Sequence, residues 1–414
     1  MTGLETVNPS MMALSEKVIS LGTWLHVQVA RWCGRLVFRH SHLGNTTFDL
    51  GRVNRVLVVR LDEIGDMILF SPFLRELRGL LPHAQITLVV KPLAYNLVEL
   101  CPYVDRLLTY DPNVPRFWRP VVLPWRAWRM AALQLRPERY DFAILPRWDT
   151  DTCYAAYLAY FSDVPWRIGY SDQASAHKRL YNRGFDRLMS YAIDDRSLKH
   201  EVAHNLDIIR FLGGPVSSEQ LEVWWGDQDD AFAERTLREY TVRPEERIVG
   251  LGPSGGHSLL KQWPVEYFIE LGHWLQSQYT SRILIVGGTG EESLGQAIEQ
   301  AIGPSVINVV GKTTLRQMAA LLKRCQLYIG GDAGPMHVAV ATGIPVVALF
   351  GSSCYHRYGP WQSDHTVLSL DLPCSPCARG HQDDRCRNCI FDRPRCMPGL
   401  TVEQVQQAVE KILV

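Results

Sequence analysis

Apolar residues along the chain recur with two different periods. Leu14, Val18, Leu21, Leu25, Val29, Trp32 and Leu36 return every three or four positions, which is one face of an amphipathic helix. Arg31, Arg35 and Arg39 lie at its far end, a mixture that suits an anionic membrane surface. Packing on its own domain or on a second subunit explains the stripe equally well. From Val53 the pattern changes. VNRVLVVRL, QITLVV, DRLLTY and YDFAILP are short, nearly continuous apolar runs, and Met67, Phe70, Leu74, Leu77 and Leu81 form a helical stripe after the first of them. Strands apolar on both faces belong in a parallel sheet covered by helices.

The second half repeats the scheme. RIVGLGP, RILIVGG, VINVVG, QLYIGG and PVVALFG read as strands, with helices expected over 264–278, 291–302 and 315–325. TVEQVQQAVEKILV, opening on Thr401 with Glu403 in the first turn, reads as a closing helix. The expected organisation is a helical extension over 1–52, an α/β domain over 53–220 and a second over 221–414. The linker is the Gly-Pro-Ser stretch that follows HEVAHNLDIIRFLGG.

Charge alters this picture only locally. The chain has 414 residues with Lys+Arg 43 and Asp+Glu 43, and this balance argues against a general nucleic-acid binder. Residues 1–150 nevertheless carry 18 Lys+Arg against 13 Asp+Glu. The excess is concentrated in Arg116-Phe117-Trp118-Arg119 and Trp125-Arg126-Ala127-Trp128-Arg129. Such an Arg/Trp mixture suits an anionic, partly apolar partner, with Arg126 and Arg129 as candidate acceptor or membrane contacts. The plainer alternative is a helix that buries its Trp side chains and leaves the arginines solvated. No secretory signal or membrane-spanning run is visible, so a cytoplasmic location, peripheral at the inner membrane if the first helix docks there, is expected.

Three turns carry candidate chemistry. Asp62, Glu63 and Asp66 follow the first strand, at the edge where open α/β sheets place ligands; Asp66 could also simply offset the positive end of its helix. Ser254 and Gly255 with Lys261 suit phosphate, through backbone N–H groups and an ammonium, although such a loop can be an ordinary turn. The third turn is Gly331-Asp332-Ala333-Gly334-Pro335-Met336-His337, a strand, glycine turn and helix start, and Ser352 with Ser353 closes a fourth. A dinucleotide dehydrogenase is set aside, since no G-x-G-x-x-G opens the first helix.

Together, RLDEIGDMILFSPFLRELR, PSGGHSLLKQWPVEYFIEL and GGDAGPMHVAVATGIPVVALFGSS resemble glycosyltransferase family 9, the heptosyltransferases of bacterial lipopolysaccharide assembly. The resemblance implies a GT-B fold, two Rossmann-like domains facing a cleft. It also implies an activated heptose such as ADP-heptose as donor, inversion, and no metal in catalysis. It puts the catalytic base on Asp66 and donor contacts on Ser254, Lys261, Asp332, Gly334, Met336 and His337; Gly255, Ala333, Ser352 and Ser353, in the same turns, are further donor-side candidates and Asp62 an acceptor-side one. The acceptor it implies is a glycan or lipid-linked sugar. The chain departs from the family at Ala333, where Thr or Ser is usual, and at Pro335, where a larger apolar residue is usual. An epimerase or hydrolase on the same scaffold, or a non-catalytic sugar-binding protein, are the alternative functions.

Five cysteines crowd one segment. Cys374 and Cys377, then Cys386 and Cys389, form two C-x-x-C pairs eight residues apart, with Cys396 beyond. That suits a structural zinc or iron ion bracing the loop before the last helix, away from catalysis. A loop of reduced thiols is the alternative.

Overall fold

A computed structural model of the chain describes residues 9–38 (side chains from Ser20), 49–115, 118–256, 258–362, 365–370, 372–377, 389, 391 and 393–413. The first unit runs α1 (Pro9–Val37), β1 (Arg55–Val59), α2 (Ile64–Ile68), α3 (Ser71–Leu80), β2 (Gln85–Val90), α4 (Pro92–Val98), β3 (Arg106–Thr109), α5 (Arg119–Met130), β4 (Phe142–Leu145), α6 (Ala155–Phe161), β5 (Trp166–Tyr170), α7 (Ala176–Tyr181), β6 (Tyr191–Ile193) and α8 (Glu201–Phe211). The second runs α9 (Asp227–Glu239), β7 (Ile248–Gly252), α10 (Val265–Tyr279), β8 (Arg282–Ile285), α11 (Glu292–Ile302), β9 (Val306–Asn308), α12 (Leu315–Leu322), β10 (Leu327–Gly331), α13 (Gly334–Ala341), β11 (Val346–Phe350), α14 (Tyr355–Tyr358), β12 (His365–Ser369), α15 (Cys396–Gly399) and α16 (Val402–Leu413).

Each unit is one parallel six-stranded sheet, ordered β3-β2-β1-β4-β5-β6 and β12-β11-β10-β7-β8-β9. These are the same doubly wound order, so each sheet reverses direction at its first strand, between β1 and β4 and between β7 and β10. This is the expected pair of Rossmann-like halves. The apolar strands explain the layers: Val56 and Val58 of β1 enter one core cluster and Leu57 and Val59 the cluster on the other face. A sheet covered on both sides needs this double-faced burial. The first core cluster also contains Met336 and Val338 of the second unit, so apolar packing crosses between the halves.

Three strands carry no clear apolar signal. β6 is three residues long and mostly exposed, and β12 is a half-buried edge strand. β5 reads WRIGY, and the buried Arg167 inside it donates from Nε to the Leu188 carbonyl (2.6 Å). Two other local readings change. The stripe from Met67 to Leu81 is split into α2 and α3 by a break before Pro72, where the Ser71 hydroxyl caps the Ile68 carbonyl (2.7 Å). In α5 the side chains buried are Leu123, Ala127 and Met130, while Trp118, Trp125 and Trp128 are exposed; the reading of tryptophans buried in the core does not hold. Arg116 and Phe117 lie outside the described residues.

Candidate active site

The turns after β1 and β4, at one sheet's reversal, meet the turns after β7 and β10, at the other's. The contact is made by α2 and α13, which pack against each other. It is close enough that Gly65 leaves no room for a Cβ and Gly334 leaves little. A Cβ at Gly65 would stand 2.5 Å from Cδ2 of His337, and one at Gly334 would stand 3.1 Å from Cβ of Ile64. The two helix starts therefore meet in direct contact.

On the first side, Asp66 lies in the first turn of α2, its side chain 14 % exposed. Burial, helped by the negative charge of Glu201, raises its carboxyl above the usual range, against the opposing charges of Arg60 and Arg357. Arg147, from the turn after β4, brings Nη1 to 3.9 Å from Oδ2 of Asp66 and also pairs with Asp62. Asp62 is itself buried and takes a second arginine, Arg60, whose Nε is 2.5 Å from Oδ2. Asp62 is thus held by two cations within the protein. Lys91, after β2, bonds Glu63 (2.6 Å) beside them.

On the second side, Lys261 Nζ lies 2.6 Å from Oδ2 of Asp332, and His337 Nε2 lies 3.5 Å from its other oxygen. Burial alone would raise Asp332, but Lys261 and His337 outweigh it and hold the carboxylate well below its usual range. The Ser254 hydroxyl bonds Glu291 and accepts from the Gly256 N–H (2.9 Å). Gly255 bends that loop back, its carbonyl accepting from the Ser258 N–H (3.3 Å). Ala333 caps α13, its carbonyl accepting from the Met336 N–H (3.1 Å), and Met336 is fully buried. Ser352 and Ser353 are buried, and neither hydroxyl has a partner among the described residues. A buried hydroxyl without a partner costs free energy, which a ligand would recover.

A buried ion network ties the halves together, and sequence reasoning missed it. Arg357 of α14 reaches into the first unit, with Nη2 3.0 Å from Oε2 of Glu201 and Nη1 3.0 Å from Oδ2 of Asp149. Arg60 takes the other oxygen of Glu201 (2.8 Å). Burial would raise Glu201, but Arg357 and Arg60 depress it far below its usual range. The available signal was Arg60 itself, one charge inside the apolar run VLVVRL, since a buried charge demands a partner.

Arg126 and Arg129 lie on α5, away from these turns. Arg126 Nη1 donates to the Asp111 carbonyl (3.0 Å) just beyond β3, and both arginines line an open hollow with Trp125 and Gln134. Cys386 lies outside the described residues. Among the described residues, Cys374, Cys377, Cys389 and Cys396 do not bring three sulfurs within 4.8 Å of one another. Their segment is not remote from the site, contrary to the reading from spacing: the Ser375 hydroxyl bonds the Gly351 carbonyl (2.6 Å), and Cys377 Sγ lies 3.9 Å from the Ser352 carbonyl. It braces the turn that presents Ser352 and Ser353.

The family described as glycosyltransferase family 9 (heptosyltransferase) matches residues 128–386, a span that begins after Asp66. A lipooligosaccharide heptosyltransferase 2 of Campylobacter jejuni is 27 % identical over 219 residues, 52 % of this chain and 66 % of that protein. The chain is thus aligned with just under two thirds of that relative's length. A family 9 glycosyl transferase of Veillonella parvula superposes with a TM-score of 0.73 at 24 % identity, covering 89 % of this chain and 99 % of that one. The Escherichia coli heptosyltransferase WaaC, solved with ADP-2-deoxy-2-fluoro heptose, gives 0.61 at 19 %, covering 86 % and 99 %. These likenesses show the GT-B fold.

Proposed function

Since this chain belongs to glycosyltransferase family 9, we propose that it transfers a heptose from ADP-heptose, with inversion, to a hydroxyl of a lipopolysaccharide-core-like or other lipid-linked glycan acceptor. The observation that carries the reading is Asp66, a carboxyl raised by burial, in a helix start packed against the helix start that bears Asp332 and His337. The relatives named above support the donor and acceptor classes, one being a lipooligosaccharide heptosyltransferase and another solved with a fluorinated ADP-heptose.

In this reading the acceptor hydroxyl gives its proton to Asp66 while its oxygen bonds the anomeric carbon. The bond from that carbon to the diphosphate breaks on the opposite face, and ADP leaves. The sugar passes through an oxocarbenium-like state, as in glycoside hydrolysis. A base for the hydroxyl and positive potential under the phosphates are what the protein must supply. Asp66 is the base. Lys261 and the first turn of α13 provide the positive potential, while the Ser352 and Ser353 hydroxyls supply donors. Arg147 and Lys91, beside Asp66, suit an acceptor that bears phosphate. No step needs a metal ion or nucleic acid.

The reading assigns the enzyme to the cytoplasm, acting on an acceptor held at the inner membrane. Among the described residues no helix is long and apolar enough to cross a membrane. The cysteine segment, bracing the donor turn, is assigned a structural zinc or iron ion held by Cys374, Cys377, Cys386 and Cys389 with Cys396 adjacent. Less than ~0.2 equivalents of either metal in purified protein would overturn that assignment, since a closed structural site stays filled.

The experiment that tests the donor is a panel of nucleotide sugars read by melting shift. ADP-heptose at 100 times its dissociation constant stabilises the fold by about 2.7 kcal/mol. A larger response to a uridine or guanosine sugar would contradict this reading.

A further inference from the structure

The helix α1 does not pack through its large apolar residues. Its contact face is made of small ones: Ser20, Thr23, Val27, Ala30 and Gly34 are buried, and a Cβ at Gly34 would stand 2.2 Å from the Tyr160 hydroxyl. Leu21, Leu25, Val29, Trp32 and Leu36 point the other way, Trp32 being 66 % and Leu36 72 % exposed. α5 likewise turns its largest side chains outward, burying Leu123, Ala127 and Met130 and exposing Trp118, Val121, Trp125 and Trp128. Eighteen large apolar side chains are exposed among the described residues, and eleven of them lie here, six on α1 and five on or beside α5.

The two helices flank α6, every residue of which is buried. Tyr154, at the start of α6, hydrogen-bonds Thr23 of α1 and feels the charge of Arg119 at the start of α5. Arg136, just past α5, lies over the ring of Phe38 at the end of α1. Both helices therefore pack around the same buried element of the first unit.

We propose that α1 and α5 together form a docking surface for an anionic lipid bilayer. The charge on the described side chains of the two helices has one sign, with Asp111 the carboxylate beside Arg126 and Arg129. Residues 20–37 and 118–130 contain Arg31, Arg35, Arg119, Arg126 and Arg129 and no Asp or Glu. Exposed Leu and Val interleaved with Trp and Arg is the composition of a helix lying in the membrane interface, where indole rings and arginines meet headgroups and aliphatic chains enter the acyl boundary. A second copy of the chain fits less well, because it would set five arginines against themselves with Asp111 the one carboxylate lining the hollow of Arg126 and Arg129. An anionic leaflet supplies the missing charge. The contact of Arg126 with the Asp111 carbonyl places α5 beside the carboxyl edge of the first sheet, the edge that carries Asp66. This inference rests on the lipid-linked acceptor proposed above, and its test does not depend on which sugar is moved.

The test is co-sedimentation of the full chain with vesicles of phosphatidylglycerol and phosphatidylethanolamine, against vesicles of phosphatidylcholine, at low and raised salt. The wild type is expected to bind the anionic vesicles and to lose binding as salt rises. The double variant Trp32→Glu, Leu36→Asp is expected to bind at least about tenfold less, with an unchanged melting temperature and an unchanged shift by ADP-heptose. Equal binding of wild type and variant to anionic vesicles would overturn the surface. So would a wild-type dimer in light scattering that the same variant dissociates while vesicles bind neither form. A wild type that binds no anionic vesicles yet transfers to a soluble acceptor refutes the docking surface alone; a wild type that binds them without transfer refutes the catalytic reading alone.

Discussion

The imidazole of His337 lies against the backbone of Gly65 so closely that a Cβ there would stand 2.5 Å from Cδ2 and 2.9 Å from Nε2. One half of the protein thus contributes a missing side chain and the other an aromatic ring that occupies its place. His337 is also the residue that approaches Asp332, so whatever moves it disturbs the turn after β10.

Gly65→Ala forces that ring, or α2 itself, to move. A displacement of an ångström at reacting groups costs about 10²-fold, so kcat/KM is expected to fall about 10–100-fold with little change in melting temperature. Steady-state kinetics beside a thermal melt checks this. Wild-type kinetics would mean that the two helix starts do not approach in solution.

Glu201→Gln removes the carboxylate that answers both Arg60 and Arg357. Breaking one partner out of a buried ionic cluster costs about 3–5 kcal/mol, read as a drop in the unfolding midpoint. It also removes a charge that raises Asp66. The base must be ionised, so activity is present above its pKa and lost as pH falls through it. The acid limb of the rate profile therefore moves to lower pH in the variant. An acid limb that stays in place or moves up would contradict the coupling.

Ser352→Ala and Ser353→Ala remove buried hydroxyls that have no partner among the described residues. Stability is expected to hold or rise slightly, because an unsatisfied buried group is lost. Nucleotide affinity is expected to fall about tenfold per residue, the worth of one hydrogen bond to a charged group. Calorimetric titration against a thermal melt separates the two effects. Unchanged affinity would remove these serines from the donor site.

The architecture was legible where burial is continuous. β1, β2, β7, β10 and β11 are short apolar runs with both faces covered, and that pattern identifies a parallel sheet. β5 escaped because the buried Arg167 interrupts its run, its charge satisfied by carbonyls that only folding supplies. The four candidate turns were legible because each follows a strand with glycine or an acid at the ligand edge. Their pairing between the two units was not, since Gly65 and His337 are 272 positions apart. The network of Arg60, Asp149, Glu201 and Arg357 was hidden for the same reason: each is an ordinary charged residue until the others are beside it. The outward faces of α1 and α5 show the limit of periodicity, which locates an apolar stripe without saying what covers it. In α1 the smaller residues made the contact with the protein, because they allow closer backbone approach, and in α5 aliphatic side chains made it in place of the tryptophans.

The most direct measurement is the single-turnover transfer rate of Asp66→Asn with ADP-heptose and a lipopolysaccharide-core acceptor, together with the variant's ADP-heptose affinity. Loss of a general base costs about 10²–10⁴-fold, so the rate is expected to fall by at least 10²-fold with affinity within about twofold of wild type. A variant that keeps more than about a tenth of the rate would show that Asp66 is not the base.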